Sequence, residues 1–146
     1  MPHRQNPIQI MLIDDEKQIL DLYQAYCRRI HSAGVELTLL DTTFEGISKF
    51  LAEPLKYDAV VTDLNQHPTG VDVVKAVRSS LNPSIPLYII TGGVTGPKGH
   101  ILEQNAVDLV GPQRYFVKPL VMGSLCKLVY EEARQIRDQR HLLAKP

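Results

Sequence analysis

The sequence predicts an α/β fold, an open sheet of five parallel strands with helices on both faces. Three observations predict it. Short, nearly continuous apolar runs recur along the chain, as strands buried on both faces require. Segments of helical periodicity separate them, the alternation of βαβ units with right-handed crossovers. Four of the five runs finish in a chemically useful polar residue, and in such sheets the ligand site lies at the carboxyl ends of the strands, where strand order reverses.

The first run, Ile8–Ile13, stops at Asp14, Asp15 and Glu16. A helix follows in which Ile19, Tyr23, Tyr26 and Ile30 share a face, with Gly34 as its stop. The second strand is Val35–Leu40. Its helix, "TTFEGISKFLAEP", has Thr42 or Thr43 as cap and Pro54 beyond its end. The third strand, Ala59–Thr62, leads into Asp63, and the helix after it sets Val71, Val74 and Val77 on one face. The fourth strand, Leu87–Ile90, leads into Thr91. The segment Gly92 to Pro112 reads as helical only over about Gly99–Val107, so its glycine- and proline-rich remainder predicts a long, mobile loop. The fifth strand, Tyr115–Val117, leads into Lys118, and a last helix starts near Val121 with Leu125, Leu128, Val129 and Ile136 among its apolar positions.

Composition narrows the function classes. The 146 residues suit one domain with a sizeable core, and no linker or internal repeat divides them. Hydrophobic residues at 44% and charged residues at 22% are those of a globular chain, not a disordered one. Sixteen basic residues balance sixteen acidic ones, which argues against a broad nucleic-acid or anionic-lipid footprint. Cys27 and Cys126 sit inside helical patterns and read as buried free thiols of a reducing compartment. No apolar run approaches membrane-spanning length, and "MPHRQNPIQ" lacks the apolar core of a signal peptide, so a cytoplasmic protein is expected.

Two carboxylates about 4 Å apart repel by roughly 4 kcal/mol at an effective dielectric of 20. The acid pair therefore needs a cation nearby, or one acid must turn away to cap a helix. Asp15 with Gln18 three residues on would make a capping box. Asp63 and Thr91 could serve turns, and Lys118 before Pro119 could be a strand-end charge. One parallel sheet, however, would bring Asp14, Asp15, Asp63, Thr91 and Lys118 to a single edge. Three hard oxygen ligands suit Mg²⁺, which keeps some waters and bridges readily to phosphate.

These residues resemble the response-regulator receiver domains of two-component signalling, the CheY-like superfamily. The matching stretches are "LIDDE" (Leu12–Glu16), "VVTD" (Val60–Asp63), "IIT" (Ile89–Thr91) and "YFVKP" (Tyr115–Pro119), together with the helix "DTTFEGISKFL". The resemblance runs from about Ile8 to the last helix. It implies a flavodoxin-like (βα)5 three-layer sandwich with strand order 2-1-3-4-5. It also implies Asp63 as phospho-acceptor and a Mg²⁺ (or Mn²⁺) site of Asp14, Asp15, Asp63 and the Asn65 backbone carbonyl. Lys118 would neutralise phosphoryl charge and Thr91 would donate to a phosphoryl oxygen. Thr91 with Tyr115 would form the switch, and Asn65 and Gly92 would tune hydrolysis. The implied partners are a histidine kinase or phosphotransfer protein, and a downstream protein on the face of helix 4, strand 5 and helix 5.

The chain departs from the family pattern after the acceptor. In "DLNQHPTG", Gln66 and His67 replace Met-Pro, Pro68 comes one residue late and Gly70 one residue early. His67 reads as an exposed loop histidine, with tuning of the phosphate as the alternative. The stretch from Thr91 to Lys118 is longer than usual, and its "GGVTGPKG" fails as a Walker A loop because Pro97 precedes Lys98 and no Ser/Thr follows. The expected unit is a single receiver domain over 1–146, with a core of about 8–130 and a helical extension to about 143. The mixed charges of "EEARQIRDQRHLLAKP" suit a solvated face and leave a docking or homodimer role open. The leading expectation is a single-domain response regulator acting in a phosphorelay. The alternatives are a phosphorylation-independent scaffold and a haloacid-dehalogenase-type phosphatase, whose second Asp is here replaced by Asn65.

Overall fold

The computed structural model describes residues 6–31 and 34–143. Five strands, β1 (Ile8–Ile13), β2 (Val35–Leu40), β3 (Ala59–Asp63), β4 (Leu87–Thr91) and β5 (Tyr115–Val117), form one parallel sheet in the order β2-β1-β3-β4-β5. Helices α1 (Lys17–His31) and α5 (Met122–Leu143) pack together, while α2 (Thr43–Ala52) packs on α3 (Gly70–Arg78) and α3 on α4 (Gly96–Val110). The predicted flavodoxin-like order is the one observed.

The period of two along each strand separates the core into two layers. On β1, Met11 and Ile13 join Phe50, Val74, Val77, Ile89 and Val110 beneath α2, α3 and α4. Ile10 and Leu12 join Tyr23, Cys27, Leu125, Cys126 and Val129 beneath α1 and α5. All fourteen are at most 5% exposed. Each such aliphatic side chain contributes about 1.5–3 kcal/mol relative to leaving it in water, so the sheet is fixed from both faces. Both cysteines are free and buried, as expected.

The fourth crossover differs from the sequence expectation. In place of a long loop with a short helix, α4 covers Gly96–Val110, and only residues 92–95 link it to β4. Pro97 stands in the first turn, where a missing N–H costs nothing. Glycine and proline here mark a helix start, and Gly111 at φ +88° marks its end. At the other end of the chain, the Arg137 guanidinium bonds both carboxylate oxygens of Asp58 and the carbonyl of Asn6, fastening α5 to the amino edge of the sheet. Asp58 in turn accepts from the Gln9 N–H at 2.8 Å.

Candidate functional site

Ladder bonds set the register of the carboxyl edge. The N–H of Asp14 donates to Leu40 O at 3.0 Å, that of Leu64 to Ile90 O at 2.9 Å, and that of Lys118 to Thr91 O at 2.7 Å. Residues far apart in sequence are thereby held side by side. Asp14 follows β1, Asp63 ends β3, Thr91 ends β4 and Lys118 follows β5. Carboxylate oxygens of Asp14, Asp15 and Asp63 lie within 4.8 Å of one another. Asp14 and Thr91 are fully buried and Asp63 is 5% exposed, while Asp15 stands in solvent.

Asp15 does not cap α1; the turn between β1 and α1 is closed by Asp14. Asp14 Oδ1 accepts from the Glu16 N–H at 2.7 Å, and Asp15 makes no hydrogen bond among the described residues. Asp14 Oδ2 receives no hydrogen bond of good geometry, though the Lys118 ammonium is 3.0 Å away. The contact is therefore an ion pair, not a directed bond. Lys118 is shared with Glu16 Oε1 at 2.8 Å.

Burial raises the Asp14 carboxyl above its ordinary range, with the Asp63 charge adding to it, against the pull of the Glu16 N–H and Lys118. Burial likewise raises Asp63, aided by the charge of Asp15 and opposed by Lys118, the Asn65 N–H and Gln66. Burial alone would lower Lys118, but Glu16 and Asp14 hold it above the ordinary lysine value. The edge thus has an excess of desolvated negative charge, and Asp14 Oδ2 has an unused acceptor position. Three oxygen donors with that excess fit a hard divalent cation such as Mg²⁺ or Mn²⁺.

Thr91 is held by its neighbours. Its Oγ1 accepts from Asn65 Nδ2 at 2.9 Å and from the Gly93 N–H at 3.1 Å, and Asn65 Nδ2 also reaches Gly93 O at 2.8 Å. Tyr115 is half-buried, its phenol donating to Glu103 Oε2 of α4 at 2.8 Å and lying near the Thr91 hydroxyl. Gly92 is exposed, with open space around its Cα.

The loop after Asp63 is compact. Gly70 opens α3 with its N–H on Leu64 O at 3.1 Å, and a Cβ there would meet Asp63 O at 2.6 Å. Glycine is needed because α3 starts directly against the backbone of Asp63 and Leu64. Thr69 and Asp72 cap the helix reciprocally. His67 is exposed, as expected, and precedes a cis bond to Pro68. Gln66 is turned toward α2, accepting from the Thr43 N–H at 2.9 Å.

Asp14, Asp15, Asp63, Asn65, Thr91, Tyr115 and Lys118, all candidates from the sequence, lie around the one edge. Glu16 and Glu103 join them without a sequence expectation, although Glu16 is the third acid of "LIDDE".

No family model matches the chain, and no curated protein matches it by sequence. Solved structures match it closely in shape. A CheY-like response-regulator receiver domain of Methanospirillum hungatei has a TM-score of 0.70 at 20% identity, over 92% of this chain and 99% of its own. The receiver domain of an HD domain-containing protein of Pseudomonas fluorescens has a TM-score of 0.74 at 16% identity, over 97% of both chains. Chemotaxis protein CheY4 of Vibrio cholerae has a TM-score of 0.64 at 24% identity, over 87% of this chain and 99% of its own. The chain has the fold of these receiver domains.

Proposed function

We propose that this chain is a response-regulator receiver that takes a phosphoryl group on Asp63 and thereby switches its affinity for a protein partner. The observation that carries the proposal is the Asp63 carboxylate, buried at the end of β3 among Asp14 and Asp15, with Lys118 and Thr91 at the ends of the next strands.

In its ionised form an Asp63 Oδ attacks the phosphorus of a phosphohistidine on a kinase or phosphotransfer protein. The new O–P bond forms as the P–N bond breaks, and the electron pair leaves on the imidazole nitrogen. Phosphoryl transfer depends chiefly on positioning and charge neutralisation, which this edge supplies. Lys118, which pairs with the neighbouring Asp14 and already opposes the rise of the Asp63 carboxyl, counters charge gathering at Asp63. Asp14, Asp15, Asp63 and the Asn65 carbonyl would hold Mg²⁺, which when bound neutralises the carboxylates and the incoming phosphoryl oxygens. Thr91, once released by Asn65, donates its hydroxyl to a phosphoryl oxygen. That movement leaves room for Tyr115 to turn inward, and the altered face of α4, β5 and α5 is where a partner docks. Phosphate acts here as a ligand that shifts a two-state population. Ile101 of α4, Val117 of β5 and Val121 just before α5 are exposed apolar residues. No helix among the described residues is long and apolar enough to cross a membrane, and we place the protein's work in the cytoplasm.

The test is intact mass after adding acetyl phosphate, with and without Mg²⁺, on the native protein and on Asp63→Asn. A Mg²⁺-dependent gain of one phosphoryl group, absent in Asp63→Asn, is expected. No gain with any donor would overturn the proposal and favour a phosphorylation-independent scaffold.

A further inference from the structure

A cleft of about 210 Å³ opens beside the amino ends of β4 and β5, at the opposite end of the sheet from Asp63. Arg78, the last residue of α3, and Arg114, just before β5, both line it, together with Glu132 of α5. The protein fixes both guanidiniums. Arg78 Nη1 donates to the carbonyls of Pro83 and Ile85, the latter at 2.9 Å. Arg114 sends Nε and Nη2 to the two oxygens of Glu132 at 3.2 and 2.5 Å. Neither fork is used up. Among the described residues, Nε and Nη2 of Arg78 and Nη1 of Arg114 meet no acceptor, and Arg78 has no ion pair. Glu132 is already committed, since its Oε1 also accepts from the Tyr88 hydroxyl at 2.6 Å. Two guanidiniums against one carboxylate leave one positive charge in surplus. Partial loss of water and the charge of Arg114 both hold the Arg78 guanidinium below the ordinary arginine value, as expected where that surplus has no counter-ion.

Size and lining select the ligand. Pockets for drug-sized molecules hold about 300–1,000 Å³, so this cleft admits something smaller. A guanidinium fork matches a planar carboxylate through two parallel bonds. A surplus of one charge suits a monoanion better than a phosphate dianion. Ile85 and Pro86 are buried and, with Ile136, give the cleft an apolar side. We propose that this cleft binds a small monocarboxylate on a short hydrocarbon stem, its carboxylate on the open guanidinium donors and its stem against Ile85, Pro86 and Ile136. Arg78 is open to solvent, so the ligand can reach it. The site stands independently of the reading of Asp63.

The experiment follows arginine Nε–H and backbone amide signals of the full chain in ¹⁵N–¹H spectra. Sodium butyrate is titrated against sodium chloride at constant ionic strength and neutral pH. Saturable shifts of the Arg78 Nε–H and the Ile85 amide are expected. Butyramide, which keeps the stem and lacks the charge, should produce none. Arg78→Gln should weaken butyrate binding by about tenfold or more, the loss of one hydrogen bond to a charged group. Because Arg78 also holds the Pro83 and Ile85 carbonyls, Ser84→Asp serves as a second variant. Ser84 lines the same cleft, and a carboxylate there leaves Arg78 in place but supplies the missing counter-charge, so butyrate binding should be abolished. Shifts that grow without saturating, that butyramide reproduces, or that persist in both variants overturn the proposal. Inorganic phosphate binding more tightly than butyrate overturns the ligand class.

Discussion

Lys118 is paired with Asp14, its Nζ 3.0 Å from Oδ2, and among the described residues no ion pair joins it to Asp63. Glu16 holds the same ammonium at 2.8 Å. For Lys118 to meet a phosphoryl oxygen on Asp63, the contact with Glu16 must loosen. Glu16 is half-exposed, at 54% for its side chain, so its hold is worth only about 0.2–1 kcal/mol. Glu16→Gln should therefore speed phosphoryl uptake by up to about fivefold at limiting acetyl phosphate, since a competing charge is gone. An unchanged or slower gain of mass would show that Glu16 helps present Lys118 instead of detaining it.

Crowded carboxylates make the metal-free site a source of instability. Asp63→Asn removes a buried charge and its repulsion from Asp14 and Asp15, and should raise stability in EDTA by on the order of 1 kcal/mol, or about 2–4 °C in Tm. The pH dependence has a definite sign. Burial holds Asp14 and Asp63 above their ordinary range, so on raising the pH the unfolded chain gives up these protons first. Their contribution is fully present below the ordinary carboxylate range and is lost as pH rises through the folded values. Native protein in EDTA should therefore lose ground to Asp63→Asn as the pH is raised across that range, and saturating Mg²⁺ should close the gap. Thermal melts of both proteins check this, and a destabilised Asp63→Asn in EDTA would contradict it.

The strands and the edge they build were legible because both depend on local pattern. A parallel sheet buried on both faces leaves continuous apolar runs, and Ile8–Ile13 and Leu87–Ile90 can be read directly. Asp14, Asp63, Thr91 and Lys118 followed from sheet connectivity, since the residues next to parallel strand ends share an edge. The start of α4 was misread because glycine and proline usually mark loops, whereas Gly96 and Pro97 occupy its first turn. Side-chain partnerships were harder. Glu16 meets Lys118 across 102 positions, and Gln66 meets Thr43 across 23. Glu103 reaches Tyr115 only because α4 lies where it does. Each depends on tertiary placement, which no spacing rule encodes.

A second polar cluster lies away from the candidate site. The Tyr88 hydroxyl, on a fully buried ring, donates to Glu132 Oε1 at 2.6 Å, and Arg114 bonds both oxygens of the same carboxylate. Glu132→Ala would leave the Tyr88 hydroxyl without its acceptor and Arg114 without its partner, at a cost of about 1–3 kcal/mol. Glu132→Gln, which keeps an acceptor, should cost less. Burial alone would raise the Glu132 carboxyl, but Arg114 and Tyr88 outweigh it and hold it below the ordinary 4.5. The carboxylate's stabilisation is thus present above that value and lost as pH falls through the folded one. Denaturant melts at neutral and acid pH should show the native advantage over Glu132→Gln shrinking on acidification, and a constant advantage would refute the ionic role.

The Tyr115–Glu103 bond sets the resting position of the ring that the proposed switch must move. Burial raises the Tyr115 phenol above its ordinary value, and the Glu103 carboxylate raises it further by accepting the proton it would lose and by its charge. Glu103→Ala should bring the phenol back down while leaving the burial part in place, a change visible in the phenolate absorbance of an alkaline titration against a Tyr115→Phe control. Losing one hydrogen bond to a charged acceptor of about 1.5–3 kcal/mol also loosens the ring. The inward position should therefore gain population before any phosphate arrives, and aromatic-ring NMR signals of Tyr115 in Glu103→Ala should move part of the way toward those of the phosphorylated native protein. Signals that stay at the resting position would mean that packing against the sheet, not Glu103, holds the ring.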